Sequence, residues 1–232
     1  MVLPVSGIVH LFGFFVILLF GLRSLFIAKK ENIKIALFFG IGFVLLALGR
    51  LFLATPALLF LEDKVIWFWC EIIQRSSLVI GFAFLGYAIF LGTFLKKHVN
   101  KIFVFLLLIS FIIIIGFFLN PPHYFIRENG VLDWENIPVV FAFLNFIYIL
   151  ILCIFAIFIF LKEAYLARDK KIKVRSLILA LVFFWVILPA LFDFIVVPFL
   201  KVNPIVSEIN YFICYFLILM SVVIGYLVEE KK

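Results

Sequence analysis

Seven long apolar runs, separated by short charged segments, constrain this chain more than any other feature. A helix rises 1.5 Å per residue, so about 20 mostly apolar residues cross a hydrocarbon core roughly 30 Å thick. The runs are Leu3–Ala28, Ile33–Leu61, Val65–Leu95, Ile102–Leu119, Pro138–Leu161, Val174–Leu200 and Ile205–Val228. The second and third are long enough to imply tilt or a kink. Pro56, Pro189 and Pro198 lie inside runs, where neighbouring helices can satisfy the backbone groups they free.

Composition excludes the soluble alternative. The chain is 68% hydrophobic and 14% charged, with 34 Phe among 232 residues. A soluble domain is roughly half apolar and about a quarter charged, and a fold of this size cannot hide so many aromatic rings in one core. The expected fold class is therefore all-α: a polytopic membrane protein, one seven-transmembrane-helix bundle over residues 1–232. It belongs in the cell membrane as a multi-pass protein, with the lipid bilayer as its solvent and first partner. The start, MVLPVSGIVHLFGFF, has no basic segment and no small-residue cleavage site, so it reads as a retained first helix.

Charge then orients the bundle. Arg23, Lys29, Lys30 and Lys34 fall around the first loop, and Lys96, Lys97 and Lys101 around the third. Lys162, Arg168, Lys170, Lys171, Lys173 and Arg175 surround the fifth, and the tail carries Lys231 and Lys232. The opposite side holds Lys64, Arg127 and Lys201. By the positive-inside rule the odd-numbered loops face the cytoplasm, with the N-terminus outside and the C-terminus cytoplasmic. The formal net charge of +7 thus reflects topology, and no nucleic-acid partner is expected.

The longest outer connection, NPPHYFIRENGVLDWENI (120–137), contains Asn129-Gly130 between short segments of strand character, a strong hairpin signal. With His123, Tyr124, Phe125 and Trp134 it is too aromatic for a solvated linker. Two readings stay open: a lid of His123, Tyr124 and Trp134 over the bundle, or an interfacial aromatic anchor. Ser77/Gly81 and Ser221/Gly225 are small pairs at helical spacing that allow close helix approach.

Ionisable residues inside apolar runs are costly and mark packing networks or functional sites. Here they are His10, Arg50, Glu71, Arg75, Asp193 and Glu208, with Gln74, Asn145 and Asn210 as polar companions. At 1.5 Å per residue all fall in the outer half of their helices. Glu71 and Arg75 stand at i and i+4, on one face and within pairing reach. Arg50 should reach the same level from the next helix, giving two guanidiniums beneath two carboxylates with Gln74 alongside. Three readings compete: an ion network that only fastens helices 2, 3 and 6, a small-molecule or lipid pocket opening outward, and a transport or catalytic site. The inner half carries only isolated polar groups, Tyr87, Thr93, Ser110, Tyr148 and Ser221, the pattern of a blind pocket. Cys70, Cys153 and Cys214 sit in apolar runs as small hydrophobes, with no disulfide framework.

Catalytic signatures are missing: no HExxH, GxSxG or phosphate-binding glycine loop occurs, and no clustered His and Cys ligands. No enzyme activity, metal or cofactor is expected. Trp185-x-x-x-Pro189 resembles the retinal-lining pair of microbial rhodopsins, yet the seventh run has no Lys for a Schiff base.

Three strings carry another resemblance. They are the third-helix IWFWCEIIQRSSLVIGFAFLGYAIF, the segment LNPPHYF containing Asn120, Pro121 and His123, and the Pro189-centred ILPALFDFIV. Together with helix order they resemble the seven-helix N-terminal region of bacterial and archaeal sensor histidine kinases. The chain departs from that group in ending at Glu229-Glu230-Lys231-Lys232, with no kinase module. The resemblance implies a sensor that signals through a separate cytoplasmic or membrane partner. The leading expectation is thus a receptor-like membrane protein binding a ligand from outside. A transporter component and a structural or accessory subunit are the alternatives.

Overall fold

The structure, a computed structural model, describes residues 4–60, 63–127, 130–135, 138–200 and 202–230. Within these ranges the side chains of residues 94, 124, 126, 134, 135, 198, 199 and 225–230 are not described. Expectations placed on Leu3, Leu61, Asn129, Lys201, Lys231 and Lys232, and on the side chains of Tyr124 and Trp134, lie outside the described residues.

Among the described residues, seven helices are long and apolar enough to cross a membrane. They are α1 (Val5–Glu31), α2 (Lys34–Leu59), α3 (Lys64–Leu91), α4 (Val99–Leu119), α5 (Val139–Leu166), α6 and α7 (Pro204–Glu230). Helix α6 begins as Lys170–Leu191 and runs through a π-helical turn, Phe192–Val196, into Val197–Leu200. The third apolar run ends earlier than its hydropathy predicts. Gly92 closes α3, and a 3₁₀ turn at Phe94–His98, capped by Thr93 Oγ1 accepting from the Leu95 amide, leads into α4.

Local chemistry sets the other helix ends. Asp63 Oδ1 accepts from the amides of Val65 (2.9 Å) and Ile66 (3.1 Å), and Asp169 Oδ1 from Lys171 (2.7 Å). Asn203 caps α7 through the Ile205 amide, 3.1 Å away. Asn32 ends α1 in the left-handed region at φ 53°, which Asn tolerates better than other side-chain-bearing residues. Hydroxyls inside helices return to their own backbone, as Thr55 does to Leu51 and Ser76 to Ile72.

The helices close a ring. α1 packs on α2, α2 on α3, α3 on α5, α5 on α6, α6 on α7, and α7 returns to α1. α4 lies against α3 and α5 on the ring's flank. It turns Phe105, Leu108, Phe111, Ile112 and Phe118 outward, an apolar surface suited to lipid. Ser110 and Tyr148 both donate to the Val79 carbonyl, at 3.1 and 3.3 Å, so one α3 carbonyl ties α4 and α5 in place. α2 and α3 meet backbone to backbone: a Cβ on Gly42 would come within 2.9 Å of the Gly81 carbonyl oxygen. That approach sets the distance between the faces carrying Arg50 and Arg75.

Strands β1 (His123–Ile126) and β2 (Leu132–Glu135) form an antiparallel hairpin, His123 opposite Glu135 and Ile126 opposite Leu132. Its turn is wider than the Asn-Gly signal predicts. The Gly130 amide donates to the Arg127 carbonyl and the Arg127 amide to the Val131 carbonyl, with Gly130 at φ 76°. Arg127 pairs with Asp133 across the hairpin, Nε to Oδ2 at 2.7 Å. Val131 and Leu132 are buried, and Leu132 packs on Leu53, Ala57 and Trp67 at one end of the ring. The cationic loops cluster at the other end.

Candidate functional site

The α2–α3 approach places Arg50 beside Gln74 and Arg75 in the middle of the ring. Glu71 and Arg75 are both buried and joined by a 2.6 Å bond from Nε to Oε1, the i, i+4 pair that the spacing predicts. The Arg75 guanidinium lies between two rings, 4.7 Å from the centroid of Phe117 and 5.0 Å from that of Phe194. Such stacking holds a cation in an apolar setting without satisfying all its donors.

Arg50 departs from the expected arrangement. It does not join Glu71 in a four-charge cluster. Its guanidinium lies 4.5 Å from the Tyr211 ring centroid and 5.9 Å from that of Tyr215. Among the described residues no carboxylate stands within 4.0 Å of it. Asp193 contributes charge from further off, in the field of both Arg50 and Arg75. The Asp193 carboxylate itself is occupied: it accepts from Ser207 Oγ at 2.7 Å and from the Tyr211 hydroxyl.

Asp193 reaches this position because α6 widens. Pro189 cannot donate a backbone bond and crowds the carbonyl one turn before it. The following π-helical turn carries Asp193 inward, and such turns recur at functional sites.

Arg50, Gln74, Arg75 and Asp193 line a cavity, with Leu53 above and Leu46, Phe82, Ile149 and Ile218 below. Tyr211, Cys214 and Tyr215 of α7 and Trp185 of α6 complete the wall. All six ring helices contribute and α4 does not. About 50 Å³ is open to the centres of water-sized molecules. Two polar atoms in this wall, Gln74 Oε1 and the Tyr215 hydroxyl, are buried without a protein partner.

A second, smaller space lies between the cavity and the hairpin. His10, Leu132, Ser207 and Glu208 line it, and it shares Leu53, Asp193 and Tyr211 with the larger one. Here Ser6 connects three elements. Its hydroxyl donates to Glu208 Oε1 at 2.5 Å and accepts from the Leu132 amide at 2.8 Å. Its own amide donates to the Gly130 carbonyl at 3.4 Å. His10 Nε2 stands 3.7 Å from Glu208 Oε1, an ion-pair distance when the imidazole is protonated, and its ring meets Tyr211 edge-on. The hairpin therefore rests on the site through Leu132 and Ser6, while His123 is exposed.

On the opposite side the cavity is closed by rings. Phe39, Phe43, Phe160 and Phe183 contact one another at centroid distances of 5.9–6.3 Å. The isolated polar groups of that half are engaged locally: Tyr87 donates to Asn100, Thr93 to Phe90 and Ser221 to Leu217.

The structure thus brings together Arg50, Gln74, Arg75 and Asp193 around one cavity, with Glu71 behind Arg75 and His10 and Glu208 around the adjoining space. Asn145 is fully buried on α5 outside the lining, with neither amide atom partnered, and Asn210 accepts from Cys214 Sγ at 3.5 Å. Sequence reasoning missed Ser6, Ser207, Tyr211 and Tyr215. Ser207, Tyr211 and Tyr215 recur every fourth residue, a polar stripe on an apolar helix that could have been found. No protein-family model matches the chain, and no curated protein matches it.

Proposed function

We propose that this is a receptor-like integral membrane protein that takes a ligand from the outer side into the cavity beside Arg50. In this reading the N-terminus and hairpin are outside and the cationic loops are cytoplasmic, which the charge asymmetry supports. One observation carries the proposal. A guanidinium sits at mid-bundle facing an open cavity with no carboxylate within ion-pair distance among the described residues. Such a group is expensive in a membrane unless something else meets it. The hairpin is the cover: Leu132 packs on Leu53, Ala57 and Trp67, and Ser6 links it to Glu208. Ligand entry would shift α6 and α7, whose Asp193, Tyr211 and Tyr215 form the wall, and pass that movement to a separate partner. The three strings similar to sensor histidine kinases favour the same reading.

The native cysteines test it. Cys214 lines the cavity, Cys153 is fully buried elsewhere and Cys70 is half-buried. With a small neutral methanethiosulfonate, mass spectrometry should show Cys214 modified more slowly than Cys70 but well ahead of Cys153. Cys214 as inert as Cys153 would remove the ligand pocket. For orientation, Gly130→Cys should react with an impermeant reagent from outside and Asp169→Cys should not.

A transporter component is the second reading, favoured by the π-helical turn at Asp193, since carriers place interrupted helices at their binding sites. It requires the phenylalanine plug to part. Spin labels at Lys34 and Lys173 would then give two distances, whereas a receptor with a fixed plug gives one.

A further inference from the structure

The cavity's size and lining restrict what it can hold. A water needs about 10–15 Å³ of such space, so about 50 Å³ accommodates roughly four water-sized groups. An inorganic dianion or a sugar finds too few polar partners there. The lining beyond Arg50, Gln74, Arg75, Asp193 and the tyrosine hydroxyls is hydrocarbon and aromatic ring. Asp193 is engaged at both oxygens by Ser207 and Tyr211, and Glu71 is engaged by Arg75 through Oε1, its Oε2 lying behind Arg75 outside the cavity lining. The Arg50 fork bonds Tyr211 but has no carboxylate partner among the described residues, and the Tyr215 ring, whose hydroxyl is buried without a protein partner, lies 5.9 Å from it. A planar fork matches a carboxylate, whose two oxygens accept in parallel.

We infer that the cavity binds a short-chain monocarboxylate of about four to six non-hydrogen atoms. Its carboxylate would meet Arg50 and the Tyr215 hydroxyl, and its hydrocarbon end would meet Phe82, Ile149 and Ile218. The inference rests on the reading of this cavity as a ligand site and names the ligand's class. Acetate and propionate fit the space. A long acyl chain does not, because the Phe39–Phe43–Phe160–Phe183 cluster closes the direction in which it would extend.

The test is thermal unfolding of the purified full chain in detergent, with sodium formate, acetate, propionate, hexanoate or nitrate, or propan-1-ol, each at the same concentration. Propionate at about ten times its dissociation constant should raise the midpoint by about 3–5 °C. Acetate should act similarly and the other four by less than a third as much. Arg50→Lys keeps the charge but loses the fork, and should cut the propionate shift at least threefold. Ala190→Leu fills the wall without touching a polar group and should abolish it, which keeps the test decisive if the Arg50 variant folds poorly. Nitrate or propan-1-ol matching propionate would overturn the carboxylate class, and hexanoate exceeding it would overturn the size limit. No shift with any compound would overturn the inference outright. Each of these results is separable from the ligand-site reading itself, which stands or falls on Cys214 reactivity.

Discussion

Removing either partner of the Glu71–Arg75 pair should cost far more than removing both. The two groups meet at 2.6 Å and both are buried, with Glu71 behind Arg75 and outside the cavity lining. Breaking a buried ion pair by deleting one side costs about 3–5 kcal/mol, whereas replacing both sides is often near neutral. In Glu71→Gln the rings of Phe117 and Phe194 continue to face the Arg75 cation, which places the loss at about 3 kcal/mol. Arg75→Gln removes those ring contacts as well and should cost about 3–4 kcal/mol. The double variant should return to within about 1 kcal/mol of the parent, a coupling of about 5 kcal/mol or more. At roughly 2–4 °C per kcal/mol for a chain of this length, each single change lowers the unfolding midpoint by about 6–16 °C. Thermal unfolding in a single detergent, with monodispersity checked by size exclusion, measures all four corners. Additive single effects, with coupling below about 0.5 kcal/mol, would refute the assignment of Glu71 to Arg75. A propionate shift in the double variant equal to the parent's would further show that Arg50, not Arg75, holds the ligand.

Three further outcomes follow from the packing. Ser6→Ala leaves the buried Leu132 amide without its acceptor, a loss of about 1–3 kcal/mol, so hydrogen exchange at Leu132 should accelerate about 5–150-fold; unchanged exchange would mean the hairpin is held elsewhere. Asp133→Asn breaks the partly exposed pair with Arg127 and should change stability by less than about 1 kcal/mol, measured by the same exchange. Gly81→Val places side-chain atoms against the Gly42 carbonyl oxygen, 3.0 Å from a first Cβ, and should destabilise the bundle by about 2 kcal/mol or more in thermal unfolding. Tolerance of Val there would show that α2 and α3 can separate freely.

The membrane-spanning helices were legible in the sequence because hydropathy and length are local quantities. In lipid every backbone group must be bonded within its own segment, so a 20-residue apolar run has few alternatives to a helix. Glu71 and Arg75 were legible as a pair for the same reason, since i, i+4 geometry needs no tertiary information. The short end of α3 was less so: hydropathy runs on past Gly92, while the Thr93 cap and the 3₁₀ turn stop the helix.

Which faces turn inward was decided only by the ring. Arg50 was expected level with Arg75 beneath two carboxylates, yet the return of α7 onto α1 brings the rings of Tyr211 and Tyr215 to its guanidinium. An aromatic face competes well for a guanidinium in an apolar medium, and nothing local to Arg50 announces that competitor 160 positions away in sequence (roughly). The hairpin shows the same division. Asn129-Gly130 signalled a turn, but only tertiary contacts between Ser6, Leu132 and Glu208 seat the hairpin over the smaller space beside the cavity. Sequence determined that seven helices form, because that depends on each segment's own exchange between water and lipid. Tertiary structure decided which charges find one another and where a cavity remains, because those depend on the order in which the helices close.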